Sequence, residues 1–372
     1  MGAKNTGMAG RIKYYMIRTT KSIILVLISI HTFAQLGGKN GFEFVNFHSN
    51  AKVAGIGGMN VSVRDRDPNM FFSNPALLNI EMKNQATVSY NRYYADIWNS
   101  QVGYVFDTKK LGLFGAGLQY TEYGRAPQTD EFGNVLGTMF ANEYAFTVAK
   151  SHTIGNYTLG ANVKFAHSQI AGNNAAMVLA DMGGVFKHPT RQFTIGLLVK
   201  NMGFAIKNYA SGQQINIPFD VQAGFTYKLE HMPLRFSMTV HHLHQYNIAY
   251  DDPNKIAGYD LNGNPQYNRV GVADNIMRHF VFGGEFILAK GFHLRAGYNH
   301  FRRSEMALDN FSSLGGFSFG GMLKIRAVEL GYTSAFYHAA GPRSFFTVII
   351  NLDGFYKKKE IPLSSPEGEI KS

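Results

Sequence analysis

The sequence has no cysteine among its 372 residues, one tryptophan, and charge on only 16% of positions. The missing cysteine excludes a disulfide framework and thiolate metal sites. Beyond the N-terminus no apolar run approaches the ~18 residues that a spanning helix needs, which excludes a helical membrane protein. Chemistry-bearing motifs are equally scarce. There is no Gly-x-Ser-x-Gly elbow, and Gly55-Ile56-Gly57-Gly58 lacks the strand-turn-helix setting of a dinucleotide fingerprint. On a continuous strand His242 and His244 share a face while His241 points away, which argues against a three-histidine metal site. The acidic residues near Asp251 and Asp252 lack EF-hand spacing. No enzyme activity, cofactor or metal is expected.

Aromatics and turn formers are abundant, with 30 Phe, 20 Tyr and 40 Gly, and the mean hydropathy is −0.13. Such a composition suits strands and turns. Lys4, Arg11, Lys13, Arg18 and Lys21 precede an apolar run from Ile23 to Ile30, and Thr32-Phe33-Ala34 supplies small residues before Gln35. This pattern is a secretory signal peptide over residues 1–34, with Met16 as a second candidate start. Its removal takes five basic residues and lowers the net charge from +11 to +6. A mildly basic exported protein suits contact with anionic lipopolysaccharide, and the charge is no evidence for nucleic-acid binding.

From about Gln85 onward the hydrophobic period is two. Tyr157, Leu159, Ala161, Val163 and Phe165 alternate with Thr158, Gly160, Asn162, Lys164 and Ala166, and the same alternation recurs over 193–200 and 219–228. The pattern predicts fourteen strands, near 85–93, 98–107, 111–123, 143–152, 157–167, 175–187, 192–202, 218–229, 234–244, 277–289, 292–301, 313–325, 328–336 and 343–352. Tight joints, as at Gly155-Asn156 and Lys290-Gly291, alternate with longer ones around 124–142, 168–174, 203–217, 245–276, 302–312 and 337–342. Short turns on one rim and long loops on the other indicate an all-β, transmembrane antiparallel β-barrel in the bacterial outer membrane, with both termini periplasmic.

Aromatic residues near strand ends, including Tyr90, Tyr93, Trp98, Tyr120, Tyr123, Tyr298, Phe301 and Tyr337, are expected to form interfacial girdles. The polar faces carry Lys164, Lys200, Asp220, Lys228, Glu285, Arg295, Lys324 and Glu329, which must point into the lumen. Joined by Arg64, Asp65, Arg66 and Asp67 they would make an ion-paired network with a structural role. The loop from Gln245 to Ile276, with Tyr246, Tyr250, Asp251, Asp252, Tyr259 and Tyr267, reads as a protein-docking surface or a fold-back over the lumen.

Residues 49–79 break the strand pattern. Gly55, Gly57 and Gly58 let a plug backbone turn and approach the wall, while Asn74 caps a short helix with Pro75 at its first position, followed by Ala76. Ala54 to Val63, Asp65, Asp67 and Phe71 to Leu77 resemble the N-terminal hatch of the long-chain fatty acid transporter superfamily. Phe42 to Phe47 and the Ala-Gly-Ile-Gly-Gly variant are more specifically similar to the PorQ family of the type IX secretion system. The resemblance implies a hatch inside the lumen and an outer-membrane component of a cell-surface attachment complex. Its partners would be a PorZ-like surface protein, with PorU- and PorV-like components nearby. The alternative is a channel for small hydrophobic molecules. The expected segments are a signal peptide (1–34), an N-terminal segment and hatch (35–82), the barrel (83–356) and a periplasmic polar tail (357–372). Lys357-Lys358-Lys359 after Phe355-Tyr356 departs from the usual aromatic barrel ending.

Overall fold

Strict alternation of apolar and polar residues gives each strand one face that must meet lipid and one that must not, and a closed sheet satisfies both while leaving no edge. The computed structural model describes residues 41–93, 96–210, 214–249, 256–259, 265–267, 270–305, 314–338 and 341–355. The strands are β1 (Gln85–Arg92), β2 (Trp98–Thr108), β3 (Gly112–Thr129), β4 (Val135–Ile154), β5 (Tyr157–Ile170), β6 (Asn173–Lys187), β7 (Phe193–Lys207) and β8 (Asp220–Lys228). They continue as β9 (Leu234–Val240), β10 (Ile256–Tyr259), β11 (Pro265–Tyr267), β12 (Phe280–Ala289), β13 (Phe292–Asn299), β14 (Phe317–Ile325), β15 (Val328–His338) and β16 (Gly341–Asn351). Fourteen of them close an antiparallel barrel in which only β9 and β12 are neighbours across an insertion, and β10 and β11 form a separate hairpin inside that insertion. Closure is by β1 on β16, in register from Gln85 opposite Asn351 to Arg92 opposite Ser344.

The faces are inverted relative to a soluble sheet. In β1 the buried residues are Gln85, Thr87, Ser89 and Asn91, while Val88 and Tyr90 are exposed. In β5, Thr158, Asn162 and Lys164 are buried while Leu159, Val163 and Phe165 are exposed. Polar residues inside and apolar residues outside identify a membrane barrel. Aromatic contacts run around both ends, as in Tyr90–Trp98–Tyr120 on one rim and Tyr157–Phe186 and Phe193–Tyr227 on the other.

The structure moves some sequence-based boundaries. Residues 124–142 are not a loop: β3 and β4 continue as a ribbon, with a register shift between Glu122 and Arg125 next to Gly124 at φ +78°. Pairing persists beyond the belt there because the partner strands stay in reach of each other. The joint at 168–174 is a two-residue turn, Ala171-Gly172, both at positive φ, so the rim gains height from strand length rather than from a loop. Tyr93, Tyr123 and Tyr337 are not in the outer girdle. Tyr337 is 6% exposed and packs on Phe345, Tyr123 donates to buried Glu143, and Tyr93 lies under Arg343.

Residues 41–82 occupy the lumen. Gly41 donates to Asn216 O beside the long β7–β8 joint, and Leu352 N bonds Asn84 O at the tight-turn end where β1 begins. The wall is cut to fit this segment. A β-carbon on Gly160 would fall 2.3 Å from Pro75 C and Ala76 N, one on Gly196 2.1 Å from Val61 O, and one on Gly297 2.0 Å from Gly57 N. Those glycines are required by close backbone approach rather than by turn geometry. Gly160→Val is therefore expected to cost roughly 1–3 kcal/mol by overpacking, read as a lower temperature for loss of the folded band in heat-modified gel electrophoresis. Gly184→Ala, beside the outward Leu159 side chain 3.7 Å away, should leave that temperature unchanged.

Candidate functional site

The lumenal segment is a chain of short capped turns, because no piece of it is long enough to be stable alone. Asn50 Oδ1 accepts from Lys52 N (2.6 Å) and Val53 N (3.0 Å), starting the helix Ala51–Gly55. That helix ends on Gly57 and Gly58, at φ +98° and +89°, a backbone that L side chains rarely adopt. Asn74 Oδ1 accepts from Ala76 N (2.9 Å) with Pro75 in the first helical position, and Asn74 Nδ2 reaches Val61 O (2.9 Å) and Leu197 O (3.3 Å). The expected hatch residues Gly55, Gly57, Asn74, Pro75 and Ala76 lie at contacts between the segment and the wall, and Gly58 lies against Arg302 of the helix His300–Glu305. Between them, Val53, Ile56, Val63, Phe71, Leu77 and Met82 form an apolar core against Val105, Ala149 and Val185 of the wall.

Two charged clusters pin this segment. Toward the tight-turn end, Glu285 is 3% exposed and is bound by Arg295 Nε (2.9 Å), by Arg235, and by His293 (3.0 Å). Arg235 also donates to Asp65 (3.0 Å), which pairs with Lys52, itself 3.9 Å from Asp67. Arg66 binds Glu329 at 2.9 Å, and Lys324 binds the same carboxylate at 3.1 Å. The cluster lines a recess of about 270 Å³ together with Glu81, Lys290 and Met322. The second cluster lies higher. Lys164 bonds Asp181 (2.6 Å) and Asn201 (2.9 Å), and Asn201 Nδ2 donates to Asn46 of the lumenal segment (2.9 Å). Lys200 stands opposite Asp220 in the β7–β8 register.

The expected network is therefore split in two, and not every member belongs. Asp65, Arg66, Asp67, Glu285 and Arg295 meet in one cluster, and Lys164, Lys200 and Asp220 surround the other. Arg64 donates instead to Thr158 Oγ1 (2.5 Å). Lys228 sits at the tight-turn end of β8 opposite Arg235 and makes no ion pair among the described residues. Sequence reading missed Lys52, Arg235, His293 and Asp181. Parity could have found three of them, since Arg235 alternates with Ser237 and Thr239, His293 with Arg295, and Asp181 with Leu179 and Gly183 on inward positions. Lys52 sits in a short helix, where parity carries no signal.

Of the expected docking loop, Tyr246 is exposed, while Tyr250, Asp251 and Asp252 lie outside the described residues. The backbone of Tyr259 and Tyr267 belongs to the β10–β11 hairpin, and a helix, Val272–Arg278, follows, so the loop is not featureless. His242, at φ +54°, breaks the strand, so the faces assumed for His241, His242 and His244 do not hold: the rings of His241 and His242 touch. Among the described residues no group of three His, Asp or Glu is placed to hold a metal. The expected signal peptide, polar tail and positions of the termini fall outside the described residues.

No family model matches the chain, and no curated protein matches it. Among solved structures it is similar to a TodX monoaromatic hydrocarbon channel deletion mutant, at 14% identity over 83% of this chain and 98% of that one, with a TM-score of 0.47. It is also similar to a Pseudomonas aeruginosa FadL homologue, at 11% identity over 81% and 97%, with a TM-score of 0.44. A Rhodopseudomonas blastica porin mutant follows at 9% identity over 72% and 97% and a TM-score of 0.28. These likenesses concern the barrel fold alone.

Burial by itself would push the Asp65 carboxyl up, but Lys52 and Arg235 outweigh it and lower its pKa to about 2. A carboxylate whose folded-state pKa lies below its ordinary value of 3.8 stabilises the fold fully above that value and loses the contribution as pH falls toward 2. With no native cysteine as background, a cysteine placed at Ser62 should stay shielded from 4,4′-dithiodipyridine at pH 5 and become reactive between pH 4 and 2. Asp65→Asn should raise reactivity already at pH 5 and flatten that pH dependence.

Proposed function

We propose that the protein is a closed outer-membrane barrel acting as a surface anchor, holding a partner of a type IX secretion attachment complex on its long-joint rim. The observation that carries this reading is that residues 41–82 make backbone contact with wall glycines and are pinned by two charged clusters. With the lumen filled, the working surface is the rim. There the β3–β4 ribbon, the β10–β11 hairpin and the helix His300–Glu305 stand. The similarity of Phe42 to Phe47 and Ala54 to Gly58 to the PorQ family supports a PorZ-like surface protein as the partner.

A second reading, passage of small hydrophobic molecules past a movable hatch, is favoured by one feature. An apolar groove of about 410 Å³ on the outer wall, lined by Phe292, Leu323, Leu330, Tyr332 and Phe346, shares Met322, Gly331 and Thr347 with the charged lumenal recess. At Gly331 the wall has no side chain to thicken it. The hydrocarbon channel and the FadL homologue accord with this second reading rather than with the first.

The two readings differ in what accompanies the protein. Tagged protein solubilised from native outer membranes should bring down one large surface protein in near-stoichiometric yield, and removal of residues 256–267 should reduce that yield. Recovery of the protein alone, with an extractable hydrophobic compound in the barrel, would overturn the anchor in favour of the channel.

A further inference from the structure

The helix Val272–Arg278 is amphipathic in the wrong sense for a water-facing element. Its exposed positions are Val272 (67%), Ala273, Ile276 (45%) and Met277 (38%), all apolar. Its other side is polar and occupied. Asn275 and Arg278 are buried, Asn275 Nδ2 donates to Tyr246 O (2.9 Å), Arg278 bonds Asp274 (2.8 Å) and Glu305, and Asp274 accepts from His300 (2.7 Å). A helix packed on a soluble rim shows the reverse, with its apolar stripe inward. The inversion found here is that of the barrel strands themselves.

Two further observations say what covers this face. First, the helix runs directly into β12, whose Phe280 and Phe282 rings stack at 6.0 Å and whose Phe282 and Phe286 lie in the lipid-facing belt, so its outer face continues an established lipid surface. Second, the wall beside it is low. β9 has seven residues, whereas a tilted spanning strand needs about 9–11. Past the end of β9 the chain still exposes Leu243 (51%) and Tyr246 (63%).

We propose that Val272–Arg278 lies in the membrane, in the leaflet on the long-joint side, with Val272, Ala273, Ile276 and Met277 among lipid acyl chains. It completes the apolar belt where β9 is too short to do so. The occupant is lipid, and this proposal is independent of which partner the rim holds.

The test uses the full chain in lipid vesicles. In a Trp98→Phe background, single tryptophans replace Ile276, Phe286 (belt reference, 37% exposed) or Phe132 (rim reference, 89% exposed), and quenching by phosphatidylcholine brominated on its acyl chains is measured. Each variant is first checked for a folded band by heat-modified electrophoresis. The expected result is that Ile276→Trp is quenched at least about half as strongly as Phe286→Trp, with Phe132→Trp unquenched. Ile276→Trp behaving like Phe132→Trp would overturn the proposal. So would quenching that is absent in vesicles while the emission shifts blue on addition of native membrane extract, since a protein would then cover the face.

Discussion

The interaction on which the rest depends is the buried carboxylate of Glu285 held between Arg235 and Arg295. Its geometry joins two strands of the wall, β9 and β13, through a third, β12, and Arg235 carries the connection on to Asp65 of the lumenal segment. A charge so deep is tolerated only when fully paired, and removing one partner of such a set costs about 3–5 kcal/mol because the remaining charges stay buried. The cluster is therefore a specification of register more than a source of net stability: it defines where the segment sits, since any slip would strand several charges at once.

Membrane insertion imposes the complementary constraint. The outward faces must be apolar, so most polar residues of the fourteen-strand wall are sent inward, and an inner face of Gln, Asn, Thr, Lys and Asp needs hydrogen-bond partners. Residues 41–82 supply them. Asn69 meets Thr87 (2.7 Å), Ser62 meets Thr226 (2.8 Å), Asn74 donates to Leu197 O (3.3 Å), and the segment's own apolar side chains build a small core where the wall offers Val105, Ala149 and Val185. Glycines on the wall let the two backbones approach, so that the lumen is filled by fit rather than by bulk.

Most of the barrel is legible in the sequence because period-two alternation is a local signal, and lipid on one side enforces it at every strand. Strand ends on the tight rim, such as Gly155-Asn156, are written by turn chemistry and agree with the structure to within a residue or two. The other rim is less legible. Ala171-Gly172 reads as part of a loop although it is a two-residue turn, and residues 124–142 read as a loop although paired. Both depend on how far two strands stay together beyond the membrane, which no local pattern encodes. In the lumen, parity assigns Glu285 and Arg295 to the inner face, but it cannot say that Asp65 reaches Arg235, nor that Arg64 turns to Thr158. Those pairings depend on the path of the segment. The inner wall glycines carry the least visible message: Gly160 and Gly297 look like ordinary small residues until the segment is seen against them.

A lumen shut by residues 41–82, and kept shut by the Asp65–Arg235–Glu285–Arg295 cluster, should not conduct ions. Ion conductance across planar bilayers tests it most directly, with the native protein set against Glu285→Ala. The native protein should be silent and the variant should open frequently, because two buried arginines lose their common partner and the segment its register. A steady ohmic conductance through the native protein would contradict it.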